Sequence, residues 1–253
     1  MYKVEPKNYT NYIQYIDKSS CGMVYPYSIV KHFQQGDIFS IHHSFLYRHY
    51  CGFTFLYGVY DENSLESTYD LLFNNRNINP KRSILFVTNE AAERFFRIKN
   101  NIVIQRRYFF EYKKDCPTVI PDLPVGYEIC EMDYNLLRKI NGNITPALFW
   151  GDVTYFLEKG KGFCIIDGNN VAAWAFTAAI SDEEIDIGIE TNREYQRIGL
   201  AYIVAGQMIR YCFDQRKRPV WACHSENIAS RKLAEKLGFV KTSECWTVKK
   251  LNK

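Results

Sequence analysis

The sequence predicts an α/β (α+β) chain in two parts, and three observations carry that prediction. Glu184 to Phe239 runs strand, glycine turn, helix, strand, helix. Gly162–Asp167 and Val171–Ile180 are apolar runs separated by Asp167-Gly168-Asn169-Asn170, a sequence suited to a tight hairpin turn. Lys113-Lys114-Asp115-Cys116-Pro117, with Pro121 and Pro124 after it, reads as a linker. The expected division is an N-terminal α/β domain over residues 1–118 and a second domain over 119–253.

In the first part, Asn11–Asp17 and Val30–Phe33 have helical spacing. Gly36–Val59 is rich in aromatics and reads as strands around a turn. Leu65, Tyr69 and Leu72 place a helix over Ser64–Phe73. Lys81–Val87 is a strand, Asn89 caps a helix running through Phe95 and Phe96, and Ile102–Tyr112 is again a strand. In the second part a strand begins within Pro124–Ile129, and helices follow over Met132–Ile140 and Thr145–Lys159. After the hairpin come a strand over Glu184–Thr191 and a helix over Leu200–Phe213. In that helix Leu200, Ile203, Val204, Met208 and Cys212 lie on or beside one face. Val220–Ser225 is the next strand, and Asn227 caps a last helix that Gly238 ends.

Composition bounds the function. A chain of 253 residues can bury an ample core, and 47% hydrophobic with 24% charged residues is a soluble, globular balance. A net charge of +4 is too small to imply nucleic acid, and Arg216-Lys217-Arg218 reads as a solvated loop. No apolar run is long enough to span a bilayer, and the first residues lack the apolar core of a signal peptide. The eight cysteines include no C-x-x-C pair, which favours reduced thiols and a cytoplasmic setting over a disulfide framework or zinc site. His42, His43 and His49 are near one another, but adjacent residues of a strand face opposite ways and no carboxylate completes a ligand set. No metal is expected. That cluster is assigned instead to an interdomain surface or an acceptor pocket.

The turn Gln196-Arg197-Ile198-Gly199-Leu200-Ala201 opens a helix, where backbone N–H groups are unpaired and the dipole is positive. With the small Gly199 and Ala201 it can seat a phosphate or pyrophosphate, although a ligand-free strand-to-helix turn has the same appearance. Gln196-x-x-Gly199-x-Ala201 resembles the Arg/Gln-x-x-Gly-x-Gly/Ala signature of the GNAT superfamily of acyl-CoA N-acyltransferases. Asn227-x-x-Ser230 with Glu235-Lys236-Leu237-Gly238-Phe239 resembles that superfamily's next motif, in the right order. The resemblance covers about residues 125–253. The runs Gly162-Phe163-Cys164, Gly188–Thr191 and Trp221-x-Cys223 are similar to the zwittermicin-resistance-type subgroup.

The resemblance implies a mixed, mostly antiparallel sheet flanked by helices, and acetyl-CoA as cosubstrate. It places Ile189, Glu190 and Thr191 at the pantetheine arm and Gln196, Arg197, Ile198, Gly199, Leu200 and Ala201 at the pyrophosphate. Asn227 and Ser230 come beside them, with a helix cap as the plain alternative for Asn227. Strand-Asn-helix-strand over Ser83–Tyr112 parallels Val220–Val248, so the N-terminal part reads as a degenerate copy without a CoA site.

Acyl transfer to an amine needs a neutral amine, a polarised carbonyl and a stabilised thiolate. Glu190 is the first choice of base and Glu184 the second, each with a structural carboxylate as its alternative. Many relatives carry a proton-donating tyrosine where this chain has Ala234, which leaves His224, Ser225 or Tyr202, with His224 preferred. Trp150, Tyr155 and Trp174 are acceptor-pocket candidates, with core packing as their alternative. The expected activity is N-acetylation of a small-molecule amine by direct attack in a ternary complex. It is expected of a monomer or homodimer with no nucleic-acid or membrane partner. A protein- or peptide-directed acyltransferase, and a CoA-binding sensor or scaffold without turnover, are the alternatives.

Overall fold

The computed structural model describes residues 1–75 and 82–251, and these fall into two units. The first comprises Met1–Phe109, Ala222–Glu226 and Thr242–Lys253; the second comprises Phe110–Trp221 and Asn227–Lys241. The division is thus not a single cut near residue 118, because two late segments belong with the first unit. No helix among the described residues is long and apolar enough to cross a membrane.

The first unit starts with β1 (Tyr2–Lys3), a 3₁₀ helix over Pro6–Tyr15 and α1 (Val24–Val30). The helix expected over Val30–Phe33 is therefore ending where it was to begin, and His32 has left the helical region with φ 56°. β2 (Gly36–Ile41), β3 (Ser44–His49) and β4 (Phe53–Gly58) form an antiparallel meander. His42 and His43 are the two-residue turn between Ile41 and Ser44, not strand residues. α2 (Glu62–Tyr69) continues as a π-helical turn over Asp70–Asn74. β5 (Ile84–Val87) then runs parallel to β4 through Phe53↔Ile84, Thr54↔Leu85 and Phe55↔Phe86; Lys81, the expected start of that strand, lies outside the described residues. The Asn89 side chain accepts from the amides of Ala91 and Ala92 and starts α3 (Glu90–Arg97), which β6 (Ile102–Tyr112) follows. Leu46, Leu56, Leu65, Leu85 and Phe96 centre the core of this unit.

The second unit holds the end of β6, then β7 (Tyr127–Glu131) and α4 (Tyr134–Lys139). The single helix expected over Thr145–Lys159 is two, α5 (Pro146–Trp150) and α6 (Val153–Lys159). Gly151, at φ 76°, closes the first, and the Asp152 carboxylate caps the second through the amides of Thr154 and Tyr155. β8 (Gly162–Asp167) and β9 (Asn170–Ile180) form the expected hairpin, and β10 (Glu184–Thr191) lies antiparallel to β9. α7 (Leu200–Asp214), β11 (Arg218–His224), α8 (Ile228–Leu237) and β12 (Phe239–Lys250) complete the chain.

The sheet order in this unit is β11-β10-β9-β8-β7, parallel between β10 and β11 and antiparallel elsewhere. This is the expected mixed, mostly antiparallel sheet flanked by helices. Every residue from Val171 to Ala179 is buried, as in a strand covered on both faces. α7 packs on β8, β9 and β10, and α5 packs on β9. The Phe176 ring lies over Gly188, its cross-strand partner, where an added Cβ would stand 2.6 Å from the ring. The register between β9 and β10 shifts once, between Asp186 and Ile187.

Candidate functional site

The site starts from a strand that leaves its neighbour. β10 pairs with β11 at Glu184↔Arg218, Ile185↔Pro219 and Asp186↔Val220, and the ladder ends there. Ile187–Thr191 continues along β9 to Thr191↔Ala173. Asn192 donates to the Ala172 carbonyl, so by the alternation of an antiparallel ladder the backbone groups of Glu190 bond to Trp174 on β9, while the N–H and C=O of Ile189 and the N–H of Thr191 turn to the other edge and are left for another partner. The Thr191 hydroxyl is likewise buried without a partner among the described residues.

Next comes the turn. Arg193–Tyr195 makes one 3₁₀ turn, and the Gln196 side chain donates through Nε2 to the Thr191 carbonyl at 3.3 Å. Arg197 at φ 68° and Gly199 at φ 91° are both left-handed. Gly199 is the N-cap of α7, with no side-chain cap and no acidic residue in the first turn. The Tyr202 amide donates to the Gly199 carbonyl at 3.0 Å, while the amides of Gly199, Leu200 and Ala201 precede the first helical acceptor. A Cβ on Gly199 would meet nothing within 4 Å, so the backbone angle, not crowding by protein, calls for glycine here. Gln196, Arg197, Ile198 and Gly199 are exposed, Ala201 is half-buried, and Leu200 turns into the core.

Between this turn and the loop ahead of α5 lies a cavity of about 540 Å³ lined by Asn141, Gly142, Asn143, Glu190, Thr191, Asn192, Arg193 and Gln196. Its lining is polar, with Glu190 as its one carboxylate. Glu190 Oε2 accepts from the Ile144 amide at 2.7 Å. Asn192 is fixed by its Nδ2, which donates to the Val171 carbonyl at 2.5 Å. The loop 141–144 was missed in the sequence, although Asn-Gly-Asn between two helical runs is a turn signature.

The other expected site residues disperse. Glu184 sits at the far end of β10 from Glu190, roughly 20 Å away at ~3.3 Å per residue. Its carboxylate faces the Arg218 guanidinium at 2.9 Å. Burial raises its pKa above the ordinary value, against the opposing pull of Arg218. His224 falls in the first unit. Burial, then the charges of Arg107 and Lys249, push its pKa below the ordinary value, which favours neutral imidazole over a proton donor. Asn227 does cap α8, its Oδ1 accepting from the Ser230 amide at 3.1 Å, and Ser230 Oγ accepts from the Trp221 indole at 3.0 Å. Ala234 is fully buried, and Lys236 stands 4.8 Å from the Tyr202 ring.

The aromatic acceptor pocket is not what forms. Trp150 and Trp174 are fully buried, and Trp150 donates to the Thr177 carbonyl at 2.7 Å within the core. The Trp150 ring packs on Phe156, which meets Phe176 of β9, and neither Trp150 nor Trp174 lines the cavity. In the histidine cluster, His49 is fully buried, with its pKa lowered to about 3 chiefly by burial, and the Tyr47 hydroxyl donates to the Tyr12 carbonyl.

Comparison with known proteins adds the following. The sequence model of a family described as GNAT acetyltransferase matches residues 23–248. An uncharacterized N-acetyltransferase of Bacillus subtilis, YdfB, is 28% identical over 168 residues, covering 65% of this chain and 64% of its own length. The alignment thus spans less than two thirds of that relative. A GCN5-related N-acetyltransferase-like protein from Streptococcus suis has a similar structure at 22% identity and a TM-score of 0.75, covering 98% of this chain and all of its own. A tandem GNAT protein from the clavulanic acid biosynthesis pathway aligns at 10% identity and a TM-score of 0.53 over 86% of this chain and 80% of its own. The narrower likeness to zwittermicin-resistance-type enzymes finds no support in these relatives.

Proposed function

This chain belongs to the GNAT acetyltransferase family, and from that premise we propose that it is an acyl-CoA-dependent N-acetyltransferase acting on an amine of a small molecule. The observation that carries the reading is the start of α7, which is uncapped, free of carboxylates and directly after the strand edge that β11 leaves unpaired. A pyrophosphate needs backbone donors and no competing negative charge, and this turn meets both conditions. The free edge of Ile189–Thr191 and the unpartnered Thr191 hydroxyl suit a chain of amides such as pantetheine.

Glu190 is the proposed base. The amine gives up a proton to this carboxylate, its lone pair attacks the thioester carbonyl, a C–N bond forms and the C–S bond breaks. CoA leaves as thiolate, which a proton from solvent converts to the thiol, so Ala234 in place of a tyrosine does not block the reaction. We further infer that the first unit is a degenerate copy of the second. β4, α2, β5 and α3 repeat the order of β10, α7, β11 and α8, each with a three-residue parallel ladder and an asparagine cap.

The test is acetyl-CoA binding by calorimetry on the wild type and on Ala201→Glu. A glutamate in the first turn of a helix suits the dipole, so the fold keeps its stability, while the new carboxylate repels the pyrophosphate. Binding lost with an unchanged Tm supports the reading. Wild-type protein that is folded but binds no acetyl-CoA refutes it. Binding without thiol release, in water or with any of a panel of primary amines, would favour the non-catalytic reading that Ala234 keeps open.

A further inference from the structure

Glu190 and Trp174 are cross-strand partners on β10 and β9. Both reach the same residue of the loop ahead of α5. The Trp174 indole Nε1 donates to the Ile144 carbonyl at 2.8 Å, and the Ile144 amide donates to Glu190 Oε2 at 2.7 Å. Residue 144 is therefore held by its carbonyl and holds by its amide. Two residues earlier the loop passes so close that a Cβ on Gly142 would stand 2.4 Å from Glu190 Oε2 and 2.6 Å from Trp174 Cζ2. On the other side the loop is anchored where Thr145 Oγ1 accepts from the Leu148 amide and Pro146 begins α5. Trp174 is fully buried, so its indole is a fixed point rather than a mobile side chain. Glu190 is only half-buried and its Oε1 has no partner among the described residues.

We propose that Trp174 is a positioning residue for Glu190. It clamps the Ile144 peptide, whose amide in turn occupies Oε2 and leaves Oε1 as the oxygen that takes the proton of an incoming amine. Gly142 is the clearance that lets the loop lie across the pair. The inference rests on the proposed role of Glu190 as base for its consequence, but not for its geometry. The alternative for Trp174 is that its ring only fills the core and its N–H only satisfies a carbonyl. The two differ in one respect: loss of the indole releases Ile144 first if Trp174 is a clamp, and loosens β9 along with it if the ring only fills the core.

The experiment compares wild type, Trp174→Phe, Gly142→Ala and Glu190→Gln. Amide hydrogen exchange is followed by NMR at Ile144, with Ala175 and Thr177 on β9 as internal references. The expected result is exchange at Ile144 faster by about tenfold or more in Trp174→Phe and Gly142→Ala, with the references unchanged, and a smaller change in Glu190→Gln, whose carboxamide oxygen still accepts from the Ile144 amide. Gly142→Ala alters an exposed loop and keeps the indole, so it decides the matter if Trp174→Phe does not fold. Protection of Ile144 that survives Trp174→Phe, or is lost there only together with that of Ala175 and Thr177, overturns the clamp, as does protection that survives Gly142→Ala where Trp174→Phe is unfolded. Thiol release from acetyl-CoA, with water or ethanolamine as acceptor, supplies the second readout. Trp174→Phe should cost about tenfold in an otherwise wild-type chain, leave the KM for acetyl-CoA unchanged, and cost nothing further on top of Glu190→Gln. Unchanged turnover in Glu190→Gln would sink the base assignment while leaving the exchange result to judge the clamp.

Discussion

Asp61 stands at the start of α2 where Gly199 stands at the start of α7, and the two caps have opposite consequences for an anion. Each follows a strand that pairs in parallel with the next one over three residues. Asp61 Oδ1 accepts from the Ser64 amide at 2.7 Å, and Glu62 adds a second carboxylate in the first turn. The first unit thus fills its own helix start with negative charge, whereas α7 leaves its start open. Acetyl-CoA should bind with one site per chain by calorimetry. Asp61→Ala should lower the Tm, through loss of the cap on α2, without changing that stoichiometry or affinity. A second binding event, in the wild type or in the variant, would contradict the assignment.

The two carboxylates proposed as bases are separable. Glu190→Gln should reduce turnover by about 100-fold or more while acetyl-CoA affinity holds. Glu184→Gln should leave turnover close to wild type, because Glu184 lies at the other end of β10 against Arg218. Comparable losses in both variants would mean that the end of the strand does not matter.

Glu184 also makes a pH prediction. Its proton is held more tightly in the folded chain than in the unfolded one, because burial outweighs Arg218. The stability this group contributes is present below the ordinary carboxylate value of about 4.3 and is lost as pH rises through the raised folded value. Glu184→Gln should therefore have a higher Tm than wild type at pH 8, with the difference vanishing near pH 4. A variant less stable than wild type at pH 8 would show that the pairing with Arg218 wins.

His224 runs the other way. Its folded pKa lies below the ordinary value, so the unfolded chain takes up a proton first. Stability is intact above about pH 6.5 and is lost as pH falls toward the depressed folded value. His224→Gln should flatten the fall in Tm below that pH and leave turnover within about twofold of wild type at neutral pH. A large loss of turnover at neutral pH would restore it as the proton donor.

Gly199→Ala tests whether the turn needs glycine for its angle. The added methyl group meets no atom, yet φ 91° is disfavoured for alanine, so a cost of about 1–2 kcal/mol in chemical denaturation is expected. A neutral substitution would mean that the turn relaxes freely.

Much of the second unit was legible because local signals were strong there. Asp167 to Asn170 fixed a hairpin, Asn227 and Gly238 bracketed α8, and Gly199 marked the start of α7. The site itself was only half legible. Gln196 and Glu190 come from a motif and its adjoining strand, and both reach the cavity. Asn141, Gly142 and Ile144 come from a loop whose role depends on a long-range bond to Glu190, 46 residues on from Ile144, and no local pattern encodes that. The break at Gly151 was hidden by aromatic residues that fit helical spacing on both sides of it. Trp150 and Trp174 misled for a related reason: a large ring signals burial far more often than a pocket wall.

The register shift between β9 and β10 turns on one small residue. Asp186 faces Ala179 while Ile187 faces Thr177, so Ala178 is the extra residue of β9. Were Ala178 paired with Ile187 instead of set aside, the count would bring Glu190 opposite Ala175 and Ile189 opposite Phe176. Every side chain of β9 beyond the bulge would then change face relative to β10. The indole would point away from the loop it clamps, and Phe176 would meet an isoleucine where it now rests on Gly188. Ala178 touches no part of the chemistry, yet it works as a phase element, a single-residue offset on which the pairing of tryptophan and glutamate depends.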